Sequence, residues 1–342
     1  MSIRTRIFPA KAWVTAVTLS HLATALVVGA AIWCGPALAD EAADYPNRPI
    51  RLIVPAAPGG ISDILARVLA DNLNRMFGQS VVVENRGAAG GNLGVEMVAK
   101  AEPDGYSLSL IQVGNVAINP YLYKDLSFDP LHDLQPVAAV ASSPQIVTAY
   151  PALPANNLTE LIALAKQEPG KLSYGSAGIG TSTHLGAELL AQMAGVKLLH
   201  VPYRGMGPAL IDLTAGRVQL AFVGLAPIKA SLESGTLKAL AVAQSSRLKA
   251  APTIPTADEA GLPGYEFITW FGVVTTHGTQ PAIVEKLNTA INSILDTPAI
   301  RQRLFDLGME PLVETPIDFS ARIQKDYEKF GVMIKAAHIN IE

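Results

Sequence analysis

"IRLIVPAAPGGISDILARVLADNLNRMFG", residues 50–78, decides how the rest of the chain is read. "IRLIV" has the length and branched composition of a buried strand. "PAAPGG" (55–60) breaks it with two prolines and two adjacent glycines, the punctuation of a turn. Beyond the turn Ile61, Ile64, Leu65, Val68, Leu69, Leu73, Met76 and Phe77 recur at helical spacing, and Gly78 is a natural stop. Strand, glycine turn and helix make the unit of an open α/β sheet, where ligands sit beyond the carboxyl ends of strands.

The unit repeats outward from there. "VVVE" (81–84), a glycine-rich run through Gly94, a short helix and "SLSLIQV" (107–113) form the next copy. A second series starts where Asn157 and Glu160 form a helix-capping pair ahead of "LIALAK" (161–166). "KLSYGSA" (171–177) reads as a strand entering a glycine-rich turn, with a helix from His184 to Met193 behind it. "LLHVPY" (198–203), "GPALIDLTAG" (207–216), "VQLAFVG" (218–224) and "LKALAVA" (237–243) continue the alternation. Such alternation predicts an α/β fold of parallel sheets covered on both faces. About 300 residues exceed one comfortable core, so two sheets are expected. Pro-rich stretches near 144–154 and 252–263 flank a central block, and periodic sequence resumes at "FITWFGVV" (267–274) and "IVEKLNTAINSIL" (283–295). The simplest partition is a discontinuous first lobe, 40–142 with 266–342, and a second lobe, 143–265. Two chain crossings between lobes would make a hinge over a cleft.

Composition narrows the function. The 342 residues are 49% hydrophobic and 16% charged with a formal charge of -3, which excludes a disordered chain. No basic block is present, so nucleic acid is not an expected partner. Arg4, Arg6 and Lys11 precede an apolar stretch from Trp13 to Trp33, and no acidic residue appears before Asp40. The stretch ends in Ala37-Leu38-Ala39, the small-x-small pattern of a signal peptidase site. Residues 1–39 are read as a secretory signal cleaved after Ala39. Its three cations leave with it, so 23 Lys and Arg remain against 29 Asp and Glu, a mature charge of -6. The single cysteine, Cys34, leaves as well, and the bulky Trp33 before it argues against a lipid anchor. No later segment has about 18 uninterrupted apolar residues. A mature chain without cysteine has no disulfide and depends on its core, which suits a bacterial periplasmic protein.

Two stretches carry chemistry. "PAAPGGISD" (55–63) and "GSAGIGTSTH" (175–184) each run from strand through small-residue turn to polar cap and helix. Glycine lets backbone amides approach a ligand, and a helix start adds about half an elementary charge. Ser62, Ser176, Thr181 and Ser182 add hydroxyl donors. Two such turns facing one another would hold a carboxylate without a buried arginine. Each feature has a plainer reading when taken alone. A Gly-Gly turn serves as a helix cap, Asp63 complements the helix dipole, His184 is a satisfied histidine, and Trp270 and Phe271 are core.

Enzyme patterns fit poorly. "YGSAG" (174–178) has Tyr174 where a nucleophile elbow needs glycine. Ser182 and His184 lack an acidic orienter in the sequence. The histidines at 21, 132, 184, 200, 277 and 338 show no metal-ligand spacing, and "GAAGGNLG" (87–94) does not match a dinucleotide fingerprint. No catalytic residue, metal or cofactor is expected.

The matched turns and their flanks resemble the substrate-binding receptors of tripartite tricarboxylate transporters, the TctC or Bug family. The resemblance runs through "YPNRPIRLIVPAAPGGISDILAR", "VVVENRGAAGGNLG", "AEPDGYSL", "GSAGIGTSTHLGAELL", "VPYRGMGPALIDLTAGRV", "PTADEAGLPGYE", "WFGVV" and "LFDLGMEPL", essentially the whole mature chain. It implies a type II periplasmic-binding-protein fold with two α/β lobes around a hinge cleft and no catalysis. It also implies a monomeric receptor that captures a small organic carboxylate and presents it to membrane permease subunits, or docks a periplasmic sensor kinase instead. Carried over by position, the first ligand loop is Ala57, Pro58, Gly59, Gly60, Ile61, Ser62 and Asp63. The second is Ser176, Gly180, Thr181, Ser182 and His184, with Gln112, Gly114, Tyr203, Gly224 and Trp270 as further positions.

Two departures from the family pattern bear on the cargo. The first loop has Ala56 where an aromatic is usual, and a second proline at Pro58. "VQLAFVG" ends in Gly224, where many relatives place an acid able to meet an ammonium group. The expected cargo is therefore a di- or tricarboxylate, or an aromatic acid, without an amino group.

Overall fold

The computed structural model describes residues 44–56, 58–87 and 89–336. The expected signal segment 1–39, its cleavage site and Ala57 lie outside the described residues.

In chain order the elements begin with β1 (Ile50–Val54), α1 (Ile61–Phe77), β2 (Val81–Asn85), a 3₁₀ turn at Ala89–Gly91, α2 (Asn92–Ala99) and β3 (Ser107–Gln112). A π-helical turn, Gly114–Ile118, runs into α3 (Asn119–Leu122), followed by β4 (Leu134–Pro144) and β5 (Ile146–Ala149). Next come α4 (Leu158–Gln167), β6 (Ser173–Ser176), α5 (Ser182–Ala194), β7 (Leu199–Pro202) and α6 (Met206–Thr214). β8 (Leu220–Val223), α7 (Lys229–Glu233), β9 (Lys238–Val242) and β10 (Ile268–Thr276) follow. The described chain closes with α8 (Pro281–Leu295), α9 (Pro298–Asp306), β11 (Glu310–Pro311) and α10 (Pro316–Ala336).

The local readings hold where chemistry was explicit. α1 spans the expected residues and stops at Gly78, whose φ of 65° is the left-handed conformation a helix terminus favours. Asn157 caps α4 by accepting the Glu160 amide at 2.8 Å, while Glu160 Oε2 accepts the Asn156 amide at 2.7 Å.

The strands form a six-stranded sheet, β11-β4-β10-β3-β1-β2, and a five-stranded sheet, β7-β6-β8-β5-β9. The expectation of parallel sheets needs correction, because both are mixed. β1 runs parallel to β2 and β3, but β10 is antiparallel to β3 and β4. In the second sheet β6 is parallel to β7 and β8, while β5 is antiparallel to β8 and β9. Helical crossovers impose parallel pairing, and the strands that join the sheets have no such crossover. β4 passes directly into β5 through one residue, Gln145.

That crossing is braced by the second one. The Gln145 amide donates to Phe267 O at 3.0 Å, Ala243 N–H donates to Gln145 O at 2.7 Å, and Phe267 N–H donates to Ala243 O at 2.9 Å. The side chain of Gln145 is buried, and its Nε2 donates to Ser182 O at 2.7 Å. The joint between the sheets is thus tied to the first residue of α5. Gly272 lets α10 press on β10, since an added Cβ would lie 2.1 Å from Phe319 Cζ.

The apolar interior includes Ile53, Ile111, Tyr174, Phe222, Phe267 and Phe319, all buried. Each such side chain contributes about 1.5–3 kcal/mol by leaving water. The described residues from Pro46 onward form one compact unit. Among the described residues no helix is long and apolar enough to cross a membrane.

Candidate functional site

The first turn is shaped by Asp63. Its buried carboxylate accepts the Gly59 amide at 3.0 Å and the Arg67 Nε at 3.1 Å. The Arg67 guanidinium, then the Gly59 N–H, hold this carboxyl below the usual range. Gly59 has φ 80°, a backbone that side-chain-bearing residues rarely adopt. Asn85 Nδ2 donates to Ala56 O at 3.2 Å and fastens the turn to the end of β2. Gly60 caps α1 in extended backbone without a side-chain hydrogen bond. Among the described residues the amides of Gly60, Ile61 and Ser62 find no acceptor.

The second turn is fixed more elaborately. Thr181 Oγ1 donates to Gly178 O at 2.7 Å, Ala177 N–H donates to Thr183 Oγ1 at 2.9 Å, and Gly180 N–H donates to His184 Nδ1 at 3.1 Å. Ser176 Oγ lies 2.6 Å from His200 Nε2. His184 and His200 stack with centroids 4.0 Å apart, and Tyr174 stacks on His200 at 4.9 Å. The Tyr174 hydroxyl donates to Glu188 Oε1 at 2.5 Å. Burial pushes His184 down to about 3, with the neighbouring His200 adding to the effect, and burial pushes His200 down to about 4. Both rings are therefore neutral near pH 7. What this cluster leaves unpaired among the described residues are the amides of Ile179, Ser182 and Thr183 and the Ser182 hydroxyl.

A third loop completes the wall. Gly90 and Gly91 take φ of 65° and 91°, and a Cβ on Gly91 would lie 2.5 Å from Pro55 O. Asn115 and Asn119, one turn apart after β3, both donate to Gly90 O, at 3.2 and 3.1 Å. Asn115 Oδ1 also accepts the Gln112 amide at 3.0 Å.

These turns surround a cavity of about 670 Å³ between the two sheets. α1, α5 and α6 each begin at its wall, through Gly60–Ile61, Thr181–Ser182 and Met206–Gly207. Among the described lining residues there is no charged side chain. The wall combines polar groups such as Gln112, Asn115 and Thr269 with apolar ones such as Ile64, Val223 and Phe271.

Of the residues singled out from sequence, Gly59, Gly60, Ile61, Gln112 and Gly114 line this cavity from the first sheet. Gly180, Thr181, Ser182 and Gly224 line it from the second. Pro58 is exposed and does not line it. Ser62, Asp63, Ser176 and His184 are buried behind the wall, the last three holding the turns in shape. Tyr203 packs beneath Gly175 and donates to Asp212 Oδ2 at 2.7 Å. Trp270 faces the other side of β10, donating to Asp326 Oδ2 at 2.6 Å and meeting Phe319 edge-on. Strand alternation places Thr269 and Phe271 on the cavity face instead. Sequence reasoning also passed over Gly90, Asn115, Asn119 and Met309. The asparagine pair carried a usable signal, polar residues four apart just past a strand's carboxyl end, whereas Met309 carried none. Gly224 has a local reason: a Cβ there would lie 2.6 Å from Ser143 Oγ.

Two mixed sheets joined by paired crossings, with a dipole-lined cavity between them, define the periplasmic binding protein fold, to which the solved neighbours conform. The family model described as tripartite tricarboxylate transporter family receptor matches residues 65–339, and the chain belongs to that family, which consists of receptors and not enzymes. A UPF0065 protein of Bordetella pertussis is 40% identical over 291 residues, 85% of this chain and 90% of that one. Among solved structures, R. palustris Rpa4515 with adipate is 36% identical with a TM-score of 0.81, over 87% of this chain and 100% of that one. MatC from Rhodopseudomonas palustris with bound malate is 32% identical with a TM-score of 0.76, over 85% and 100%.

Proposed function

We propose that this chain is a periplasmic receptor that captures an organic carboxylate lacking an amino group and delivers it, as a monomer, to the permease subunits of a tripartite tricarboxylate-type transporter. The observation that carries the reading is a cavity without charged lining side chains onto which three helix starts open. Unpaired amides at Gly60, Ile61, Ser182 and Thr183 suit a carboxylate, and helix dipoles add to their attraction. A charge-assisted hydrogen bond contributes about 1.5–3 kcal/mol. Four of them total about 6–12 kcal/mol, from which the cost of association is subtracted, so burial of the cargo's body must add to them for an affinity near micromolar. The absence of a carboxylate at Gly224 leaves an ammonium group without a partner there. Adipate and malate, bound by two solved relatives, belong to the same chemical class.

In this reading the lobes are 40–142 with 266–342, and 143–265, and they close on the cargo about the crossings at Gln145 and Ala243–Phe267. The test is titration calorimetry of the exported, processed protein with a panel of organic acids, beside Gly60→Val. Gly60 has φ -80° and ψ 173°, which valine adopts readily, so the variant should fold and lose binding. A variant that binds as tightly as the parent would overturn the assignment of this turn. Failure of every acid to bind would overturn the function.

A further inference from the structure

We propose that the cargo carries a bulky apolar body beyond its carboxylate, and that Gly114 and Gly207 are the positions that make room for it. This rests on the carboxylate reading above and narrows it against compact, hydroxyl-rich di- and tricarboxylates.

The cavity holds about 670 Å³, within the range of pockets that enclose drug-sized ligands. A compact four-carbon acid would leave much of that space to water. Beside the amide-bearing turns and polar groups such as Gln112, Asn115 and Thr269, the wall presents Ile64, Ile179, Met206, Val223, Phe271 and Met309. A carboxylate or hydroxyl facing these side chains would lose its hydration with no partner in return. Among the described lining residues no cation is present to pair with a third negative group. An apolar body, by contrast, gains from leaving water against the same surface.

The glycines show where the room comes from. At Gly90 an added Cβ would lie 2.6 Å from the Tyr123 hydroxyl, and at Gly224 it would lie 2.6 Å from Ser143 Oγ. Those two are glycines because neighbours fill the space. Gly59 has free space but a left-handed backbone. Gly114 and Gly207 differ from all three. Each lines the cavity, each sits in the first residues of a helical segment, and a Cβ on either would meet no heavy atom within 4 Å. Neither has a positive φ. Packing and backbone therefore permit a side chain at both positions, and the space in front of them is free for a ligand.

Three probes on the exported, processed protein separate the possibilities by calorimetry: 4-ethylbenzoate, succinate and citrate. The expected result is that 4-ethylbenzoate binds at least tenfold more tightly than either of the others. Gly114→Leu and Gly207→Leu should each weaken 4-ethylbenzoate at least tenfold more than they weaken succinate. Where a leucine variant fails to fold, alanine at the same position must still shift the ratio of the two affinities at least twofold. Tighter binding of succinate or citrate, or an unchanged ratio in the variants, overturns the inference and leaves the carboxylate reading standing. Binding of none of the three overturns both.

Discussion

Lowering the pH from 7 to 5 should weaken the fold through one identifiable pair. His184 and His200 are stacked 4.0 Å apart, and burial holds them neutral with values pushed down to about 3 and about 4. In the unfolded chain both return to about 6.5. Below that value the unfolded state binds protons that the native state refuses, so stability is full above pH 6.5 and falls as the pH drops towards 4. One such histidine contributes a slope of about 1.4 kcal/mol per pH unit. Between pH 7 and 5 the pair should remove about 2–3 kcal/mol, His200 supplying the smaller share because it is only half-buried and water screens its charge. Charges near the pair are few: Glu188 Oε1 stands 3.9 Å from His184 Nε2 and also accepts the Tyr174 hydroxyl. Urea unfolding at pH 7, 6 and 5, followed by circular dichroism, measures the slope. The same series on a His184→Gln, His200→Gln double variant removes the pair's share and leaves every carboxylate in place. Wild type should lose about 2–3 kcal/mol more than the variant over that interval. Parallel slopes for the two proteins would refute the reasoning.

Gly186→Ala should lower stability by about 1–3 kcal/mol, because the added Cβ would lie 1.9 Å from the buried Gln145 Oε1; a thermal melt reads this as a lower Tm. Trp270→Phe should lose its hydrogen bond to Asp326, costing about 1.5–3 kcal/mol of stability, with unchanged affinity for the bound acid. Phe271→Ala, on the cavity face of the same strand, should weaken binding measured by calorimetry.

Much of the local structure was legible in short-range chemistry. The strand at 50–54, the helix ending at Gly78 and the cap at Asn157 and Glu160 depend on residues within a few positions of one another. The same holds for the two glycine turns, whose amides lie at helix starts set by the local sequence. Direction of pairing was not legible. β10 meets β3 and β4 across more than 100 intervening residues, and nothing in "ITWFGVV" states which way a returning strand runs. The face of Trp270 was lost for the same reason, since alternation distinguishes two sides without saying which is the cavity.

The division of labour follows from range. Order of elements, the places where amides are left unpaired and the membership in a receptor family were determined by the chain of residues alone, because each rests on spacing or on a sequence of neighbouring motifs. The cavity's lining was decided only in three dimensions. Gly90, Asn115, Phe271 and Met309 come from four distant segments, and only the pairing of strands within the six-stranded sheet brings them to one wall. The roles of Asp63 and His184, fastening turns from behind instead of facing the guest, are likewise settled by which way a side chain points once its neighbours have claimed its polar atoms.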